Sequence, residues 1–153
     1  GHHSMFREAR TAATLSKVEQ TDPTALTAPE ALRLATVGGA AALGIDDEVG
    51  TLEERTRADL LVVETDQLST APAVDSPLHT AVPNLVYSTT GREVRDVFVA
   101  GEAVLRGGEF VNVDPGAAVG EATERAKGRY DRAGEDWRRA DSALVDAVDD
   151  GWL

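Results

Sequence analysis

The sharpest contrast between apolar and polar positions lies between Gly50 and Glu64. Four leucine or valine residues, Leu60–Val63, follow a charged turn at residues 53–57 and end at a glutamate. An unbroken apolar run of this length between polar residues is typical of a strand buried on both faces. Asp59 stands at its threshold, where a short carboxylate can accept hydrogen bonds from turn amides. We therefore predict a buried core strand that begins after Asp59.

Two segments before this strand have apolar residues at helical spacing. The first runs from Met5 to Val18, and the second follows Thr27 after a proline-containing break. Thr27 and Glu30 have the spacing of a capping box, in which each residue caps the other's backbone. Gly44 is placed to end the second helix. The pattern predicts two helices.

Two adjacent glycines, Gly38 and Gly39, lie inside the second helix. Each costs a helix about 1 kcal/mol relative to alanine. A phosphate site would need them in a loop that opens a helix, and they lie mid-helix. We expect a neighbouring element to approach the helix closely here, so that Gly39→Leu would destabilise the fold by overpacking.

The chain after the core strand alternates loops with short apolar runs. Residues 65–83 contain three prolines and predict a long irregular connection, and residues 85–87 predict a short strand. Residues 94–99 and 102–105 predict a hairpin turning at Ala100-Gly101, and a further turn at Gly107-Gly108 precedes a strand at 109–111. The valines of 94–99 do not alternate strictly, which indicates a bulge or burial on both faces.

The pattern of the last forty residues predicts a helix. Asp114 is placed to cap it, and glycines 128 and 134 are expected to weaken it beyond Tyr130. The apolar residues that follow form a second stripe that docks on a partner, or else the many aspartates there mark a solvated tail. The stripe comprises Trp137, Leu144, Val145, Val148 and Trp152.

Three stretches together resemble one enzyme family. The core stretch reads Val-Gly-Thr-Leu-Glu at residues 49–53 and Arg-Ala-Asp-Leu-Leu-Val-Val at 57–63, and residues 85–108 form a second block. Residues 5–10 read Met-Phe-Arg-Glu-Ala-Arg. These patterns resemble the C-terminal region of the amidohydrolase superfamily, in the branch of adenosylhomocysteine/methylthioadenosine deaminases, cytosine/guanine-type deaminases and triazine chlorohydrolases. The usual Pro-Gly-Lys before Ala-Asp-Leu is absent, and only Arg57 keeps the basic character of that turn.

The resemblance implies a fold and a division of the chain. A complete (β/α)8 barrel takes about 250 residues, and this chain has 153. We expect an α/β C-terminal fragment of a metal-dependent hydrolase, with the last barrel helices at residues 1–46. Strands of a small composite β-sandwich would occupy 47–113, and a C-terminal helical segment 114–153. Residues 1–4, Gly-His-His-Ser, are either a tag remnant or a native loop next to the barrel's metal-binding aspartate.

The chain lacks the family's catalytic ligands. The family binds zinc or iron with a His-x-His motif, further histidines and an aspartate, whereas this sequence has only His2, His3 and His79. It has no cysteine and no Gly-x-Ser-x-Gly motif. We therefore assign no catalytic, cofactor-binding or metal-binding residue and expect no metal in this chain alone.

The resemblance also implies a function for the whole enzyme. Zinc- or iron-activated water would deaminate or dechlorinate a nucleobase-like small-molecule substrate. The alternative is a stand-alone, non-catalytic β module acting in binding or assembly. A fragment would leave sheet edges or apolar faces uncovered. The expected partner is therefore the missing N-terminal barrel portion or a second copy of the chain.

The net charge and the hydropathy pattern argue against some classes of function. A net charge of −12 argues against nucleic-acid binding, which needs clustered cations. No apolar run reaches the roughly 20 residues that span a bilayer and no signal-peptide pattern is seen, so no membrane partner and a cytoplasmic location are expected. The acidic residues are dispersed and lysines are few, which suggests either adaptation to high salt or an ordinary acidic surface.

Overall fold

A computed structural model describes residues 4–152. The chain forms two compact units, residues 1–111 and 112–153. The first unit contains helices and a small antiparallel sheet. Its elements, in chain order, are α1 (Met5–Gln20), α2 (Ala28–Arg33), a π-helical turn (Leu34–Gly38), α3 (Gly39–Leu43), β1 (Leu60–Val63), α4 (Ala81–Tyr87), β2 (Val94–Val99), β3 (Glu102–Arg106) and β4 (Glu109–Phe110). The predicted three-part division at residues 46 and 113 stays a prediction.

Both helices predicted before the core strand are present. The Thr27 N–H donates to Glu30 Oε2 at 2.7 Å, which confirms the capping box at the start of α2. Gly44 follows α3 in the left-handed conformation (φ 69°), and its N–H bonds the carbonyl of Ala41 at 3.1 Å. The helix therefore ends where the sequence predicts, as an αL glycine cap.

The packing role expected for Gly38 and Gly39 is wrong. They lie at the junction of the π turn with α3, and a Cβ on Gly39 would meet only the Leu34 carbonyl oxygen of its own helix, at 3.6 Å. The close approach occurs at Gly50 instead. A Cβ there would lie 3.1 Å from Ala40 Cβ and 3.2 Å from Val37 Cα. The chain entering the core stretch therefore packs on this helix through its own glycine.

The buried core of the first unit is made of small side chains. Ala13 from α1, Ala28 and Ala31 from α2, and Val86 from α4 form one cluster. Alanines allow three helices to approach closely, and partly buried leucine and valine side chains surround them. The helices α1, α2 and α4 thus form one packed layer.

The strand predicted at residues 85–87 is wrong. The segment belongs to helix α4, whose apolar residues Val82, Leu85 and Val86 recur at the spacing of one helical face. Pro83 is accommodated because it lies in the first turn, where backbone N–H groups have no intrahelical partner. The proline suggested a loop and so concealed the helical pattern.

The sheet has the strand order β1-β2-β3-β4, with every neighbouring pair antiparallel. The hairpins predicted around Ala100-Gly101 and Gly107-Gly108 are present, although β4 ends at Phe110. The register shifts between Val97 and Phe98, which confirms the predicted irregularity in β2. A second shift lies between Val62 and Val63.

The expectation that β1 is buried on both faces is wrong. Leu61 is 49% exposed and the other three residues of β1 are only partly buried. Leu61 and Val63 line a cavity next to α4, so this face of β1 is not covered. Strand β1 is also the edge strand of the sheet. The expected uncovered edge is therefore present at β1. Strand β2, by contrast, is paired on both sides.

The second unit consists of two helices, α5 (Pro115–Arg139) and α6 (Ala143–Asp149). Asp114 Oδ1 accepts from the N–H groups of Gly116 and Ala117 at 2.9 and 3.1 Å, so the predicted cap is confirmed. The predicted weakening beyond Tyr130 is wrong, because α5 is continuous to Arg139. Side-chain ion pairs one turn apart accompany α5 on both sides of its glycines.

No helix in residues 4–152 combines the length and the apolar character needed to cross a membrane.

Candidate functional site

The histidines do not form a metal site in the described part of the chain. His79 is exposed in the loop before α4, and His2 and His3 lie outside the described residues. Within residues 4–152, no three histidine, aspartate or glutamate side chains are grouped so that they could hold a metal ion. The side chains present therefore do not fit the zinc or iron centre that the family resemblance implies.

The most developed polar cluster surrounds Glu93, at the turn before β2. Its carboxylate accepts from the Ser69 hydroxyl at 2.5 Å and from the backbone N–H groups of Thr90 and Gly91 at 2.9 and 3.0 Å. The side chain of Glu93 is buried. These donors come from the loop after β1 and from the turn between α4 and β2. One carboxylate thus fixes two irregular segments.

Burial raises the pKa of Glu93, but the hydrogen bond from Ser69 and those from backbone amides outweigh it and lower the pKa to about 2. The carboxylate therefore stays ionised at neutral pH. A general acid or base is most effective when its pKa lies near the working pH. The Glu93 carboxylate thus serves to hold the two segments together, and its low pKa does not suit it to act as a general acid or base.

Asn84 on α4 holds the loop of residues 65–80. Its amide Nδ2 donates to the carbonyl oxygens of Thr70 and Pro72, at 2.7 and 3.1 Å. The Thr80 hydroxyl also donates to the Pro72 carbonyl, at 2.9 Å, and accepts from the Val74 N–H at 2.8 Å. Although the loop lacks helix or strand, these hydrogen bonds tie its backbone at Thr70, Pro72 and Val74 to Asn84 and Thr80.

Helix α1 is joined to the same region by Arg10. Its Nη2 donates to the carbonyl oxygen of Thr89 at 3.0 Å, and Thr89 is buried next to the Glu93 turn. The buried Nε of Arg10 has no hydrogen-bond partner among the described residues. The cluster therefore links α1, the loop after β1, α4 and β2 into one support.

Sequence reasoning missed this cluster. The available signal was the turn Thr89-Thr90-Gly91 followed by Glu93, because exposed turn amides attract a carboxylate close by in the chain. The partners Ser69 and Arg10 lie 24 and 79 residues from the groups they bind, and only the fold brings them together.

Two further aspartates hold the hairpin turns. Asp59 Oδ1 accepts from the Ala100 N–H at 2.6 Å, as its position before β1 suggested. Asp96 Oδ1 accepts from the Gly107 N–H at 2.8 Å. The Gly107 amide, followed by the Arg95 guanidinium, lowers the pKa of Asp96 below its ordinary value. Both carboxylates serve the sheet and are not grouped as a reaction centre would require.

The first unit also leaves apolar surface uncovered. A cavity of about 270 Å³ lies between β1 and α4, lined by Leu61, Val63, Val82 and Leu85 among others. A second, about 500 Å³, lies between α1 and the helix from α2 to α3. Further exposed side chains are Leu15, Val18, Leu34, Leu43, Leu52 and Leu68. Contiguous exposed apolar surface is typical of interaction sites and ligand-binding grooves.

Comparison with known proteins places this fold in context. The profile of the amidohydrolase family matches residues 1–104. The chain is 40% identical over 124 residues to a 5-methylthioadenosine/S-adenosylhomocysteine deaminase of Desulforudis audaxviator, covering 81% of this chain and 28% of that protein.

Two solved structures are similar to this chain in both fold and sequence. A zinc-bound adenosine deaminase from Xanthomonas campestris matches with a TM-score of 0.74 and 40% identity, over 82% of this chain and 28% of that one. A zinc complex of atrazine chlorohydrolase from Arthrobacter aurescens TC1 matches with a TM-score of 0.65 and 27% identity, over 78% and 25%. The chain thus spans between a quarter and a third of the length of these relatives.

Proposed function

Because this chain belongs to the amidohydrolase family, we propose that it is the C-terminal segment of a metal-dependent deaminase acting on a nucleoside-like substrate. The observation that carries the proposal is the agreement of sequence and fold with one deaminase structure, at 40% identity and a TM-score of 0.74 over 82% of the chain.

Deamination is favoured over dechlorination. The chain is 40% identical to proteins named as deaminases of adenine nucleosides and 27% identical to the atrazine chlorohydrolase. We therefore propose a purine nucleoside of the adenosine type, carrying a thioether or hydroxyl at the 5′ position, as the substrate class of the whole enzyme. The reaction is hydrolytic, so water replaces the ring amino group and ammonia leaves.

The segment's own contribution is structural. Zinc in the two similar structures is consistent with a divalent metal in the whole enzyme, but residues 4–152 of this chain hold no group that fits one. We assign the metal ligands to the portion of the enzyme that this chain does not contain. We assign no step of the reaction to this chain. Its sheet and helices would instead support that portion, braced by the Glu93 cluster.

The uncovered surface of the first unit is consistent with this role. Its buried apolar core contains only alanines and a valine among the described residues, while leucines such as Leu61 and Leu52 are exposed. The partner we propose for this surface is the N-terminal barrel portion of the same enzyme. Burial of such side chains would supply about 25 cal/mol per Å² of apolar area.

A chimera tests the proposal. The N-terminal portion of the Xanthomonas adenosine deaminase would be joined to this chain in place of its own matching 28%. We expect the chimera to release ammonia from adenosine or 5′-methylthioadenosine, whereas the truncated enzyme and the 153-residue chain alone release none. A folded, zinc-containing chimera without activity on either nucleoside would contradict the proposal. So would activity on atrazine alone.

A further inference from the structure

We draw no further inference here: the strongest candidate, the open groove between α5 and α6 that Tyr130, Trp137 and Val148 line, carries none, because acidic side chains of both helices line it as well and nothing in the described part of the chain shows what covers it.

Discussion

Asp59 and Ala100 are joined by a 2.6 Å hydrogen bond, from the Ala100 N–H to Asp59 Oδ1, although 41 residues separate them. Beside it, the Gly101 N–H donates to the Ala58 carbonyl at 3.0 Å. Ala100 and Gly101 both have positive φ angles, 51° and 82°, as a tight two-residue hairpin requires. The chain entering β1 is therefore attached to the turn between β2 and β3, and it fixes how β1 lies against the sheet.

Removing the Asp59 carboxylate should loosen this attachment. We expect Asp59→Ala to lower the free energy of unfolding by about 1 kcal/mol, because the Ala100 N–H loses its acceptor. Asp59→Asn keeps an oxygen acceptor and should cost less. Urea unfolding of the 153-residue chain measures both. Asp66→Ala, at an exposed position in the next loop, is the control and should match wild type. Equal stability of Asp59→Ala and wild type would show that the bond contributes nothing.

The buried Glu93 carboxylate should make stability depend on acid pH. Its pKa falls from an ordinary value of 4.5 to about 2 in the folded chain, so the folded state favours the ionised form. The resulting stabilisation is fully present above about pH 4.5 and is lost as the pH falls toward about 2. We expect Glu93→Gln to cost about 2 kcal/mol at neutral pH.

The pH profile separates this effect from simple damage to the fold. The stability difference between wild type and Glu93→Gln should shrink as the pH falls below 4.5, because the wild type then loses its charge. Glu102→Gln, at an exposed position on β3, is the matched control and should not reproduce that convergence. Parallel unfolding curves for wild type and Glu93→Gln across this pH range would refute the assignment.

Gly50 and Gly39 should respond in opposite directions to the same substitution. Gly50→Ala should destabilise by about 2 kcal/mol, because φ is +105° and the new Cβ would lie too close to Ala40 and Val37. Gly39→Ala should be neutral or stabilise by up to about 1 kcal/mol, because alanine favours helix and its Cβ makes ordinary contact there. Thermal and urea unfolding of the two variants compare them directly. A destabilised Gly39→Ala would restore the packing role first expected for that residue.

The chain by itself should hold no stoichiometric transition metal. The three histidines are too few for the family's ligand set, and within residues 4–152 no three histidine, aspartate or glutamate side chains are grouped so that they could hold a metal ion. Elemental analysis of tag-free protein after incubation with zinc or iron, followed by desalting, should find far less than one ion per chain. One bound ion per chain would contradict this and implicate His2, His3 and His79 acting together.

Salt should stabilise the fold if the acidic surface is adapted to high salt. The net charge of −12 produces self-repulsion that chloride salts screen. We expect the melting temperature to rise between low and molar sodium chloride. Sodium sulfate at matched ionic strength is the comparison, because it also strengthens apolar burial. A flat or falling melting temperature in chloride would identify an ordinary acidic surface.

The sequence by itself determined the elements whose signals are local. The capping box at Thr27, the left-handed stop at Gly44 and the cap at Asp114 each depend on residues within a few positions of one another. The glycine-containing hairpin turns are local in the same way. The family assignment was equally accessible, because it rests on contiguous patterns such as Ala-Asp-Leu-Leu-Val-Val. Asp59 was recognised as a turn acceptor, although its partner was not.

Only the tertiary structure decided the features that depend on distant neighbours. Segment 85–87 is helical because Val86 packs among alanines of α1 and α2, which its short apolar triplet could not reveal. Leu61 is half exposed because it lines an open cavity next to α4, whereas the run Leu60–Val63 looks the same whether or not a neighbour covers its faces. Glu93 is one acid among 27 in the sequence, and it is distinguished only by the donors that the fold gathers around it. Local backbone chemistry can be deduced from neighbouring residues, but burial and the pKa of a side chain depend on groups that only folding brings into contact.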